Sequence, residues 1–242
     1  MPIRPAIIGN WKMNGSGKEV KLVSRFADFL DKHKIAADVM ICPPATLIGR
    51  AGGAIKGSKL KIGAQNCHVA ASGAYTGDVS ASMLKDAGAK AVIVGHSERR
   101  AGYDETDKQV RQKAQAVIEQ GLQSIICVGE TRQQFNKGQT LQVVGRQLRG
   151  SIPSSATPQS TLIAYEPVWA IGTGLTPTLE EINTTHEFIK NHNSKFADYK
   201  ILYGGSVKAN NAKEIVSLSN VDGALIGGAS LKADDFTKII ED

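Results

Sequence analysis

Residues 91–128 read AVIVGHSERRAGYDETDKQVRQKAQAVIEQGLQSIICV. Two short apolar runs, Ala91-Val92-Ile93-Val94 and Ile125-Ile126-Cys127-Val128, bracket a stretch in which Val110, Ala114, Val117 and Ile118 recur at helical spacing. A short, mostly β-branched run without polar alternation is the pattern of a strand covered on both faces, as in a parallel sheet. A stripe at i, i+4, i+7 and i+8 is a helix with one apolar face. Strand, crossover helix and strand make one βαβ unit, with the helix lying on the sheet.

The same unit recurs in both directions. Upstream lie Ala6-Ile7-Ile8, Val39-Met40-Ile41-Cys42 and Leu60-Lys61-Ile62; downstream lie Leu162-Ile163-Ala164-Tyr165, Ile201-Leu202-Tyr203 and Gly223-Ala224-Leu225-Ile226. Helical stripes fall between them. Ser16-Gly17-Lys18-Glu19 reads as a capping box ahead of Leu22, Val23, Phe26, Phe29 and Leu30. Thr178-Leu179-Glu180-Glu181 reads as another, and Phe236, Ile239 and Ile240 end the chain on a helix. Eight units in 242 residues leave about 30 residues each, which is one βαβ step with nothing to spare. No linker or composition break divides residues 1–242. The count predicts a single-domain, closed (β/α)8 barrel of the α/β class. An open doubly wound sheet is the alternative, but its GxGxxG and GxxxxGK[ST] signatures are missing.

Composition narrows the function. There are 29 Lys and Arg against 23 Asp and Glu, a formal charge of +6, and 5% aromatic residues. Mean hydropathy is -0.17. The densest basic group is only Arg99-Arg100, without interleaved aromatics, so a nucleic-acid partner is not expected; the surplus suits a small anionic substrate. No apolar run nears the ~20 residues of a membrane span. Met1-Pro2-Ile3-Arg4-Pro5 lacks the order of a secretory leader. Cys42, Cys67 and Cys127 are odd in number and far apart, which predicts reduced thiols in the cytoplasm. No Cys/His group has zinc-ligand spacing, so no metal is expected.

In a barrel, reactive groups project from the C-terminal ends of the strands. Following the runs in turn are Asn10 and Lys12, Gln65 and Asn66, His96-Ser97-Glu98, Glu130 and Glu166. Singly, each has a bland explanation: a solvated lysine, a satisfied histidine, a helix-capping carboxylate. Together they place a cation, an imidazole and carboxylates around one mouth. Gly204-Gly205-Ser206 and Gly227-Gly228 follow the last two strands, where exposed N–H groups of such barrels cradle phosphate. Between Pro167 and Pro177, Gly172-Thr173-Gly174 allow a compact tip, which reads as a lid over the site.

Five segments carry a specific likeness. Gly9-Asn10-Trp11-Lys12-Met13-Asn14, Gly95-His96-Ser97-Glu98-Arg99, residues 164–174 around Tyr165-Glu166-Pro167-Val168-Trp169, Tyr203-Gly204-Gly205-Ser206-Val207, and Gly227-Gly228-Ala229-Ser230-Leu231 resemble the triosephosphate isomerase family over essentially the whole chain. The resemblance implies interconversion of dihydroxyacetone phosphate and D-glyceraldehyde 3-phosphate, with no metal or organic cofactor. It implies Glu166 as general base, His96 as neutral electrophile, Lys12 as the cation offsetting enediolate charge, and Asn10 as a supporting donor. The phosphate would rest on N–H groups of Gly172, Ser206, Gly227 and Gly228. Glu130 and Tyr165 would hold Trp169 with the lid open, Tyr203 and Ser206 with it closed. Neutrality of such a histidine, by the positive end of a helix such as Ser97-Glu98-Arg99 would begin, is a known pattern of this family.

The resemblance also implies a homodimer. Residues 65–79 would form a long loop whose tip, with Tyr75 and Thr76, enters a pocket of a second copy near Met13. Leu175, Pro177 and Asp78 depart from the commoner family pattern. A different phosphate-binding barrel isomerase would share the glycines but would not need Lys12, His96 and Glu166 together. A binding module that kept the fold would be marked by a lost catalytic residue, and none is lost.

Overall fold

A computed structural model describes residues 4–172 and 175–241. Thr173 and Gly174, the tip of the expected lid, lie outside the described residues. The strands are β1 (Ala6–Asn10), β2 (Asp38–Cys42), β3 (Lys61–Ile62), β4 (Ala91–Val94), β5 (Gln123–Val128), β6 (Thr161–Tyr165), β7 (Lys200–Tyr203) and β8 (Gly223–Ile226). The helices are α1 (Val20–Lys32), α2 (Ile48–Ala54), α3 (Ala81–Asp86), α4 (Ser97–Gly102), α5 (Asp107–Glu119), α6 (Arg132–Asn136), α7 (Thr140–Ser151), α8 (Leu179–Asn191), α9 (Ala212–Val216) and α10 (Ala233–Glu241).

All strand pairs are parallel, in the order β3-β2-β1-β8-β7-β6-β5-β4. The two ends of that order meet. Ala64, just past β3, bridges Val92; the Ala64 N–H donates to the Ala91 carbonyl at 2.8 Å, and the Ile93 N–H to the Ala64 carbonyl at 2.9 Å. The sheet is therefore a ring, and the eight-unit barrel is what forms.

Side-chain alternation divides the core in two. Ala6 and Ile8, Met40 and Cys42, Ala91 and Ile93, Ile125 and Cys127, Leu162 and Ala164, and Leu202 and Leu225 pack together inside the ring. Their neighbours, such as Ile7, Ile41, Val92, Ile126 and Ile163, face outward into a larger cluster with the helix stripes. In that layer Phe26 of α1 meets Phe236 of α10 edge-on, ring centroids 4.9 Å apart, which locks the chain's two ends together. The inward period of two continues past the strand ends. It puts Asn10 on the inside two residues beyond Ile8, and Glu166 two beyond Ala164.

Local signals fare unevenly. The Thr178 capping box forms as read, and similar boxes at Thr106 and Thr131 start α5 and α6. The Ser16 box does not. The Glu19 carboxylate reaches back to the Ser16 N–H at 2.6 Å and to its hydroxyl at 2.7 Å, but the helix starts at Val20 without a side-chain cap. With its hydroxyl turned to Glu19, Ser16 forms a local turn rather than a cap.

Arg100 secures the ring where β4 and β5 end. Its guanidinium donates to the Gly95 carbonyl at 2.8 Å, to Asp107 at 2.6 Å, to the Cys127 carbonyl at 3.2 Å and to the Ser151 hydroxyl at 3.0 Å. Arg100→Met strips these groups together and leaves Asp107 unpaired. The expected loss is about 3 kcal/mol, read as a lowered urea midpoint; an unchanged midpoint would show that the site relaxes around the change. No helix among the described residues is long and apolar enough to cross a membrane.

Candidate active site

Glu166 leaves the end of β6 pointing into the mouth and is almost wholly buried. Its carboxylate is held from two sides. Oε2 accepts the Ser97 N–H at 3.0 Å, and Oε1 lies 3.0 Å from His96 Nε2. Burial alone would raise its pKa. His96, the Ser97 N–H and Lys12 outweigh it and bring the pKa below the ordinary carboxylate value.

Two glycines make room for Glu166, one for its side chain and one for its backbone. A Cβ on Gly204 would lie 2.8 Å from Glu166 Cγ, and one on Gly129 would run into the Glu166 carbonyl. The sequence suggests a phosphate role for Gly204; the structure shows that it also clears space for the carboxylate.

His96 caps α4, so the sequence Ser97-Glu98-Arg99 does open a short helix. The Glu98 N–H donates to His96 Nδ1 at 3.2 Å. That bond requires a bare Nδ1, which places the proton on Nε2, facing Glu166. Burial disfavours the imidazolium, while the charges of Glu166 and Glu98 pull the pKa upward and prevail on charge alone. The imidazole described by the hydrogen bonds is nonetheless the neutral Nε2–H tautomer, because protonating Nδ1 would break its bond to Glu98.

Lys12 reaches the mouth through an unusual backbone. Its φ of 52° is in the left-handed region, a strain of roughly 1–2 kcal/mol for a residue with a Cβ. Three bonds maintain it. Lys12 N–H donates to Asn10 Oδ1 at 3.0 Å, and Gln65 Nε2 donates to the carbonyls of Lys12 at 2.9 Å and Cys42 at 2.8 Å. The ammonium meets Glu98 Oε1 at 2.5 Å. Sequence reasoning places Gln65 at the mouth without a role; here it is the strap that holds the lysine loop.

A cavity of about 690 Å³ opens over these groups. Lys12, His96, Glu166, Ser206, Gly227 and Gly228 all line it, with Asn10 and Gly172. The Ser206 hydroxyl donates to the Ala170 carbonyl at 2.7 Å, tying the loop after β7 to the segment after β6.

In the same segment, Trp169 Nε1 donates to Glu130 Oε1 at 2.8 Å, and the Tyr165 hydroxyl donates to the same oxygen at 3.3 Å. Burial, only partly offset by these donors, raises the Glu130 pKa. The Tyr203 hydroxyl is buried without a hydrogen-bond partner among the described residues.

Residues 65–79 protrude as an ordered loop. His68 stacks on Tyr75 with ring centroids 4.1 Å apart, and His68 N–H donates to the Val79 carbonyl at 2.8 Å. Asp78, which departs from the family pattern, lies 3.9 Å from His68 Nε2. Tyr75 is 48% exposed, Thr76 is exposed, and Met13 is 95% exposed.

A parallel (β/α)8 barrel with a buried carboxylate, an imidazole and an ammonium converging at its C-terminal mouth belongs to the acid–base barrel enzymes. A family profile described as triosephosphate isomerase matches residues 5–242. The triosephosphate isomerase of Ruegeria pomeroyi is 53% identical over 244 residues, covering 98% of this chain and 96% of the relative. That of Afipia carboxidovorans is also 53% identical, covering 99% and 97%. The crystal structure of triosephosphate isomerase from Bartonella henselae superposes with a TM-score of 0.91 at 46% identity, covering 98% of both chains. The chain belongs to the triosephosphate isomerase family.

Proposed function

We propose that this chain interconverts dihydroxyacetone phosphate and D-glyceraldehyde 3-phosphate by moving one proton between adjacent carbons through an enediolate. The observation that carries the reading is the continuous set Lys12–Glu98–His96–Glu166, joined through contacts at 2.5 Å, 3.2 Å and 3.0 Å, with Lys12, His96 and Glu166 lining the same cavity as Gly172, Gly227 and Gly228.

The C–H proton is a very weak acid, so charge developing on the substrate oxygens needs donors already in place. His96 Nε2–H and the Lys12 ammonium supply them, with Asn10 beside Lys12. The carbonyl takes over the Nε2–H that Glu166 now accepts, and Glu166 leaves Ser97 for the substrate carbons. Stripped of both donors, the carboxylate rises in pKa toward the range that suits a base near neutral pH. The phosphate rests against N–H groups of Gly172, Ser206, Gly227 and Gly228. Closure of the lid moves Trp169 from Glu130 to the waiting Tyr203 hydroxyl and excludes water from the enediolate. All three cysteines are free and buried, as suits a cytoplasmic enzyme.

Exposed Met13 and Tyr75, with a loop that holds its own shape, support a homodimer in which the Tyr75–Thr76 tip reaches the Lys12–Glu98 corner of a second copy. Sedimentation is expected at twice the 25.7 kDa chain mass; a monomer at micromolar concentration would reject it. A coupled assay with glyceraldehyde 3-phosphate tests the activity. Lack of turnover by a folded dimer would overturn the proposal.

The pH profile follows from the depressed Glu166 pKa. The base must be unprotonated, and its carboxylate in the free enzyme is held below the ordinary carboxylate range. So Glu166 is expected to contribute no limb to kcat/KM above that range. A limb near pH 6 belongs instead to the second ionisation of the substrate phosphate, whose pKa is about 6. Replacing the phosphate by a phosphonate of different pKa should move that limb. A limb that stays put would assign it to the enzyme.

A further inference from the structure

Gly129 follows β5 and lies directly against the base's backbone. Glu166 N–H donates to the Val128 carbonyl at 2.7 Å and Val168 N–H to the Glu130 carbonyl at 3.1 Å, so Gly129 sits between the two rungs that hold Glu166 in place. Any Cβ on it would strike the Glu166 carbonyl.

On its other side Gly129 has no strand neighbour. β4 pairs with β5 only as far as Val94 and Ile126, and at Gly95 the chain turns away with φ +68°. Buried backbone groups left without partners carry their full desolvation penalty. Gln147 of α7 answers both groups. Its Oε1 accepts the Gly129 N–H at 2.7 Å, and its Nε2 donates to the Gly129 carbonyl at 3.1 Å. The side-chain amide copies one rung of a sheet.

The placement of Gln147 is otherwise unexpected. It is buried on the face of α7 that also buries Val143, Val144 and Leu148, where a hydrophobic residue would pack without a desolvation cost. It does not line the substrate cavity. It borders a separate cavity of about 430 Å³ behind the base, beside Ser97, Gly129 and Glu166.

We infer that Gln147 is a positioning residue for the reaction: by clamping Gly129 it fixes the Glu166 backbone, and so where the carboxylate arrives when it leaves Ser97. The inference rests on Glu166 being the base.

The test is Gln147→Met, which keeps length and volume but makes neither bond. The expected result is a folded dimer with kcat lowered on the order of 10- to 10²-fold, as small misplacements of reacting groups produce, and KM little changed. Affinity for a phosphorylated hydroxamate that mimics the enediolate should fall by the same factor, while affinity for inorganic phosphate stays. Unchanged kcat, or a loss shared equally by KM and phosphate affinity, overturns the inference. Should the Met variant not fold, Gln147→Glu keeps the acceptor for Gly129 N–H and should show the same split at smaller amplitude; a normal kcat there overturns it. Glu166→Gln in parallel separates the two readings. If it keeps turnover, the base assignment fails; if it loses turnover while Gln147→Met does not, only the positioning role fails.

Discussion

Glu166→Gln is expected to leave a folded protein whose kcat has fallen by at least about 10²–10⁴-fold, the range contributed by a positioned general base. The amide has the same shape but no basic oxygen. Its surroundings also oppose it. Both carboxylate oxygens now face donors, the Ser97 N–H and His96 Nε2. An amide satisfies one donor with its oxygen and turns its NH₂ toward the other. His96 cannot readily switch tautomer to accept it, because Nδ1 is engaged by the Glu98 N–H. Glu166→Asp keeps the charge and shortens the side chain by one methylene, so it should retain more turnover than Gln. Steady-state kcat from the coupled assay, with a thermal melt on each variant, decides the matter. A Gln variant within a few-fold of the parent would remove Glu166 from the base role.

Lys12→Asn should cost kcat/KM on the order of 10²–10³-fold, comparable to deleting one preorganised donor from a site where negative charge develops. Asparagine is chosen for the backbone: it tolerates the left-handed region far better than most residues, and Lys12 sits at φ 52°. The Asn10 and Gln65 bonds that hold this turn involve only the Lys12 main chain, so they survive the change and the loss can be assigned to the ammonium. The variant also frees Glu98 from its ion pair, leaving an uncompensated carboxylate at the mouth that repels a phosphate dianion. The loss should therefore fall on both kcat and KM, and added salt should recover part of the KM component by screening. Activity near that of the parent would show that the cation serves the loop and not the reaction.

Much of this site is legible in the chain because strands impose a period of two. Once Ala164 is known to face inward, Glu166 must as well, and the same step from Ile8 reaches Asn10. The runs also mark the strand ends, where barrel chemistry collects. Hydrogen bonds between distant residues are not legible in this way. Gln65 and Lys12 are 53 residues apart, and Gln147 and Gly129 are 18 apart on different elements. Gln65 is marked only by its place after β3, and Gln147 not at all, since a buried amide in an apolar stripe looks like an ordinary helix residue. The Ser16 box shows the opposite failure: the spacing was present and Glu19 reaches back to Ser16, but no side chain caps the helix, which begins at Val20.

The sequence by itself determined the eight-unit barrel, the placement of Asn10 and Glu166 at strand ends, and, through its five segments, the family. Those features follow from local periodicity and from residue types in order, which any stretch of chain carries within itself. Only the tertiary structure decided that the Ser97 N–H and His96 face the Glu166 carboxylate, that Gly129 and Gly204 leave room for the Glu166 backbone and side chain, and that Gln65 keeps Lys12 in a strained turn. Each of these depends on strands remote in sequence lying side by side in the ring. That arrangement brings residues remote in sequence to within hydrogen-bond distance, and no local pattern encodes which of them will meet.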